Sequence, residues 1–135
     1  MELQIKVVGW ILIPLALLHL IFPRYFNWTR ELSTLSLVNR QMVYVHTFFI
    51  ALVLLLMGLL CLRSSRELVG TPLGHQIALG FGIFWILRLC IQFFGFSPQI
   101  WQGKRFETTV HIAFSVLWLY LSTVFFWVYW MGKAA

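Results

Sequence analysis

Three histidines, an arginine, a glutamine and a glutamate carry most of the chemistry open to this chain: His19, His46, His111, Arg88, Gln92 and Glu107. Each lies in or beside a long apolar run, where a polar side chain is costly unless something pairs with it. Three chemistries fit these residue types. Imidazoles with a carboxylate can hold zinc, iron or copper, and Glu107 precedes His111 by one helical turn, so a helix presents both to one point. Two imidazoles on facing helices, with basic groups at the rim, can hold a b-type haem. A guanidinium, an amide and imidazoles walled by Trp85 and Trp118 can hold the head of an amphiphile such as a quinone, a fatty acid or a lipid.

The elements that position these groups follow from composition. Of 135 residues, 61% are hydrophobic and only 10% charged. A soluble domain carries about 25% charged residues, so the chain reads as a membrane protein. Disordered low-complexity chains are polar, which excludes that class. Two cysteines cannot make a disulfide scaffold. The net charge of +6 comes from Lys and Arg scattered between apolar runs, so nucleic acid is not an expected partner. The chain has no Asp, hence no Ser-His-Asp set, and neither a glycine-rich phosphate loop nor an H-E-x-x-H motif.

A bilayer core is roughly 30 Å thick and takes about 20 residues of apolar helix. Four runs qualify: about Ile5–Phe22, Met42–Leu62, Ile77–Phe94 and Thr109–Met131. Open sheets cannot span lipid, and Ile50–Leu62 shows none of the alternation of a barrel strand. The first run ends His19-Leu20-Ile21-Phe22-Pro23-Arg24, without a small-x-small cleavage site, so it reads as a helix of the mature chain. The expected fold is one all-α membrane domain over residues 1–135, an up-down bundle of four transmembrane helices. Both termini then share one face. Lys6 beside the first span and the loop Arg63-Ser64-Ser65-Arg66 favour the cytoplasm for that face. Leu32, Leu35 and Val38 predict a short interfacial helix or an early start to the second span.

Threading the chain through four spans places His19, His46, Arg88, Gln92 and His111 near the end that carries the first and third loops. At about 1.5 Å per residue they fall within roughly 10 Å of depth. Helical phase puts Phe81, Trp85, Arg88 and Gln92 on one face of the third span. It likewise puts Glu107, His111, Ser115, Trp118 and Ser122 on one face of the fourth. A charged residue in a span faces protein and is paired, and Glu107 is the expected partner of Arg88. Val45-His46-Thr47-Phe48-Phe49 and Val110-His111-Ile112-Ala113-Phe114 share a Val-His-x-x-Phe pattern, which would make His46 and His111 pseudo-equivalent.

The expected function is binding of an amphiphilic ligand, a metal ion or haem in this polar layer. The ligand residues are His19, His46, Arg88, Gln92, His111, Glu107, Trp85 and Trp118. A metal would use His19, His46, His111 and Glu107. The competing class is a non-catalytic accessory or assembly subunit of a larger membrane complex, its polar residues merely bonding neighbouring helices or headgroups. Smaller features read structurally. His75 is expected in a solvated loop, Cys61 and Cys90 as packed thiols, and Gly80-x-Gly82 as a close helix contact.

Overall fold

The computed structural model describes residues 1–134. Its helices are α1 (Glu2–Tyr25), α2 (Trp28–Glu31), α3 (Leu37–Arg63), α4 (Ser65–Gly70), α5 (Pro72–Phe94) and α6 (Arg105–Ala134), with a 3₁₀ turn at Pro98–Ile100 and no strand among the described residues. The four long helices are each long and apolar enough to cross a membrane. The protein is an all-α, multi-pass integral membrane protein, as its composition predicts.

Local chemistry sets the helix limits. Of the two forms expected for the first loop the early start occurs, with α3 beginning at Leu37 rather than Met42; the short helix α2 covers Trp28–Glu31 and not the expected stretch from Leu32 to Val38. Ser36 caps α3 by accepting from the Asn39 N–H at 3.3 Å. Asn27, in the left-handed region at φ 50°, turns the chain into α2. Pro14 and Pro23 both lie inside α1, which lipid-embedded helices tolerate better than soluble ones. Thr71 caps α5 by accepting from the Gly74 N–H at 3.0 Å, and Pro72 follows it in the first turn.

The chain divides into two compact units. One is Ile5–Ser65; the other joins Met1–Gln4 to the chain from Arg66 onward. In the first, α1 buries Ile5, Val8, Leu12, Leu15 and Ala16, and α3 buries Ala51, Leu54, Met57, Gly58 and Cys61. These are helical stripes at three- and four-residue spacing. Helices α1 and α3 meet at glycines. A Cβ on Gly9 would stand 2.8 Å from the Gly58 carbonyl oxygen, and one on Gly58 3.2 Å from that of Gly9. Small residues at such crossings let two backbones approach where lipid offers no hydrophobic drive to associate.

In the second unit α5 packs along α6. Gly82 holds its place because a Cβ there would sit 2.9 Å from the Phe126 ring, whereas Gly80 faces open space. The close contact expected of this glycine pair therefore belongs to Gly82 alone. His75 is not in a solvated loop: it lies in the first turn of α5, half-buried, with a ring nitrogen 2.6 Å from the Val69 carbonyl oxygen. Cys61 is buried and Cys90 exposed, and both are free. The packed-thiol expectation thus holds for Cys61 and fails for Cys90, which lies on an outward face of α5. That face, with Ile83, Phe84, Leu87 and Ile91, is exposed and apolar, as is Ile112, Val116 and Leu119 on α6. Lipid tails suit such surfaces.

Candidate functional site

The only histidine drawn into a polar network is His111, and the residues around it belong to α5, α6 and the loop joining them. The predicted helical faces explain how. On α5, Trp85 and Gln92 are buried and Arg88 is half-buried; on α6, His111, Trp118 and Ser122 are buried. Gln92 is one turn after Arg88, so its amide reaches the guanidinium along the helix. It also reaches across to α6.

Gln92 links three groups. Its Oε1 accepts from Arg88 Nη1 at 3.2 Å and from Trp118 Nε1 at 3.4 Å, and its Nε2 donates to His111 Nδ1 at 3.0 Å. The orientation of the amide is forced. Guanidinium and indole have only donors, so the atom they share must be oxygen. The amide nitrogen then faces His111, and Nδ1 must accept. His111 is accordingly a neutral imidazole with its proton on Nε2. The His111 carbonyl accepts from Ser115 Oγ at 2.7 Å.

Aromatic rings wall the network. Trp85 and Trp118 stack with centroids 5.0 Å apart and planes 13° from parallel, and Phe114 stacks on Trp118 at 5.4 Å. The Arg88 guanidinium lies 5.2 Å from the Trp118 ring centre and 5.4 Å from that of Phe96. Each such cation–π contact is worth about 0.5–2 kcal/mol, more as water is excluded. Trp101 stacks on His111 at 4.4 Å and 12°, and Phe93 meets the same imidazole edge-on at 5.5 Å. Trp85 is only 2% exposed, and its indole N–H has no hydrogen-bond partner. Buried donors of this kind are rare.

The remaining candidates have surroundings of their own. Glu107 is exposed in the first turn of α6. A carboxylate there keeps its hydration and favours the positive end of the helix dipole. Arg88 therefore pairs with Gln92, not with Glu107. His19 is half-buried, with Nδ1 2.8 Å from the Leu15 carbonyl oxygen and its ring 4.8 Å from Phe22. His46 is exposed on α3. The Val-His-x-x-Phe match thus joins two histidines in unlike settings, one exposed and one buried. Among the described residues, no group of three or more His, Cys, Asp or Glu side chains stands where it could hold a metal ion.

Trp101, Phe93, Phe96 and Phe114 join the site without having been expected there. Phe114 carried a signal, being one turn from both His111 and Trp118 on a face already marked. Trp101 carried none, since it lies in the loop. It is held by local bonds across the turn into α6: Thr108 Oγ1 donates to its carbonyl at 2.5 Å, and the Lys104 N–H does so at 3.2 Å. Trp101→Ala should uncover the His111 ring while leaving the helices intact. Carbethoxylation mapped by mass spectrometry should then rise severalfold at His111 and stay constant at His19 and His75. An unchanged His111 would mean that Trp101 does not shield it.

Comparison with models of known protein families, with curated proteins and with solved structures gives no match to this chain.

Proposed function

We propose that this protein binds an amphiphilic ligand by its polar head, at the Arg88–Gln92–His111 network between α5 and α6. Arg88 carries the argument. It is a cation in a membrane-crossing helix, and its contacts are one amide oxygen and two aromatic faces, without a carboxylate. An arginine at the centre of a span costs about 2.5–3.5 kcal/mol on insertion scales, and Arg88, six residues from the end of α5, still bears part of that cost. A purely structural role does not require that cost, because Leu would pack on Trp118 and Phe96 without it.

The same network counts against His111 as a metal or haem ligand. Ligation at Nε2 would move the ring proton to Nδ1, where it would face the Gln92 N–H donor. Gln92 cannot turn over, because Arg88 and Trp118 both need its oxygen. An organic head that accepts hydrogen bonds meets no such conflict, and the stacked indoles supply a flat wall for the adjoining carbon skeleton.

The test is copurification. Protein isolated in mild detergent should carry one class of amphiphile in near-stoichiometric amount, seen by mass spectrometry of the extracted lipids. Arg88→Leu should lose it. A Soret band or bound metal would instead favour haem or metal binding. Wild-type protein with no enriched amphiphile, stable only beside a membrane partner, would favour the accessory-subunit role.

A further inference from the structure

We infer that the head recognised at this site is an anionic oxygen group, a carboxylate or phosphate ester on an apolar tail, and not a neutral quinone. This rests on the amphiphile-binding reading above and adds the class of ligand to it.

The observation is the balance of donors and acceptors. The Gln92 oxygen is taken twice, by Arg88 and by Trp118. His111 Nδ1 is taken by Gln92, and the His111 carbonyl accepts from Ser115. The Gln92 oxygen, His111 Nδ1 and the His111 carbonyl are therefore engaged. The groups left over are donors apart from the Ser115 hydroxyl oxygen: the other N–H groups of Arg88, the second amide hydrogen of Gln92, the His111 Nε2–H and the buried Trp85 indole N–H. Trp85 is 2% exposed, so water satisfies its indole N–H poorly. The site also holds a full positive charge on Arg88 with no carboxylate in contact.

A set of donors around an uncompensated cation selects charge as well as hydrogen bonding. Guanidinium and carboxylate or phosphate meet through paired, charge-assisted bonds of about twice the strength of neutral ones. A quinone carbonyl accepts hydrogen bonds but leaves the Arg88 charge unpaired in a low-dielectric setting. A cationic head would be repelled by the Arg88 charge. The exposed apolar faces of α5 and α6 on either side provide for the tail.

The experiment uses the full chain in nanodiscs of phosphatidylcholine. Saturable binding of tritiated palmitate is measured, with unlabelled palmitate, phosphatidic acid, phosphatidylcholine and a short-chain ubiquinone as competitors. Palmitate or phosphatidic acid should compete at least tenfold better than ubiquinone or phosphatidylcholine, and the better of the two names carboxylate or phosphate as the source. Arg88→Lys, which keeps the charge, should retain this order. Arg88→Gln should abolish the preference for anions. If ubiquinone competes as well as the anions or better, the anion assignment fails and amphiphile binding stands. If palmitate does not bind saturably and neither phosphatidic acid nor a tritiated short-chain ubiquinone does so in the same assay, both fail.

Discussion

Gln92→Leu should destabilise the protein by about 1–3 kcal/mol. Leucine nearly matches the glutamine in volume, so little of the loss is cavity. The cost arises because one deletion strands three partners. Arg88 loses its only side-chain acceptor, Trp118 its acceptor, and His111 Nδ1 its donor. An unmade hydrogen bond at a buried group costs about 1–3 kcal/mol in water-soluble proteins, and interhelical bonds in membranes average nearer 0.6 kcal/mol. The estimate takes the summed effect of the smaller membrane values. Unfolding of purified protein by SDS, followed by far-UV circular dichroism, measures it. A change below about 0.5 kcal/mol would show that the three bonds contribute nothing to stability.

Gln92→Glu separates the roles of these bonds. The carboxylate still accepts from Arg88 and Trp118, and it gains a charge pair with the guanidinium. Its second oxygen now faces His111 Nδ1, where two lone pairs repel. The ring must then carry a proton on Nδ1. Nitrogen-15 chemical shifts of His111 should therefore show Nε2 protonated in the wild type and Nδ1 protonated in the variant. Wild-type protein with the proton already on Nδ1 would overturn the assigned amide orientation. The same variant should weaken palmitate binding sharply, since its carboxylate occupies the charge that the ligand would use.

The sequence carried the four spans because about 20 apolar residues per crossing is a constraint of the bilayer, not of tertiary packing. It also carried the faces of α5 and α6, where polar and large aromatic residues recur at helical spacing. Trp85, Arg88, Gln92, His111 and Trp118 were legible on that basis. The choice of partner was not. Charge alone nominates Glu107 for Arg88, but Glu107 sits at a helix start, where it stays hydrated, while Gln92 lies one turn along the same face. The histidines of α1 and α3 could be placed by depth alone. Depth can be counted from span ends, yet helix rotation cannot when a face is apolar all round, and His46 proves exposed. Trp101 depended on a loop conformation fixed by Thr108, to which periodicity is blind.

The largest structural effect should come from Gly74→Ala, at the start of α5. A Cβ there would stand 2.2 Å from the Glu67 carbonyl oxygen and 2.5 Å from Leu68 Cα. Both are backbone atoms of α4, so no rotamer change can relieve the clash. The junction is tight because Thr71 works in two directions: its hydroxyl donates to the Glu67 carbonyl at 2.7 Å and accepts from the Gly74 N–H at 3.0 Å. Alanine must therefore push α4 and α5 apart and break at least one of these bonds. The adjacent His75 would be displaced from the Val69 carbonyl, and with it the contact of its ring against Gly132 on α6. Overpacking of this kind costs about 1–3 kcal/mol and sometimes more; with a cap lost as well, about 3–4 kcal/mol is expected. Gly70 provides the control within the same short segment, because nothing lies within 4 Å of a Cβ placed there. Gly70→Ala should be neutral or gain up to about 1 kcal/mol from helix propensity. SDS unfolding of the two variants side by side decides the matter. Equal stability for Gly74→Ala and Gly70→Ala would mean that the α4–α5 junction is looser than this geometry requires.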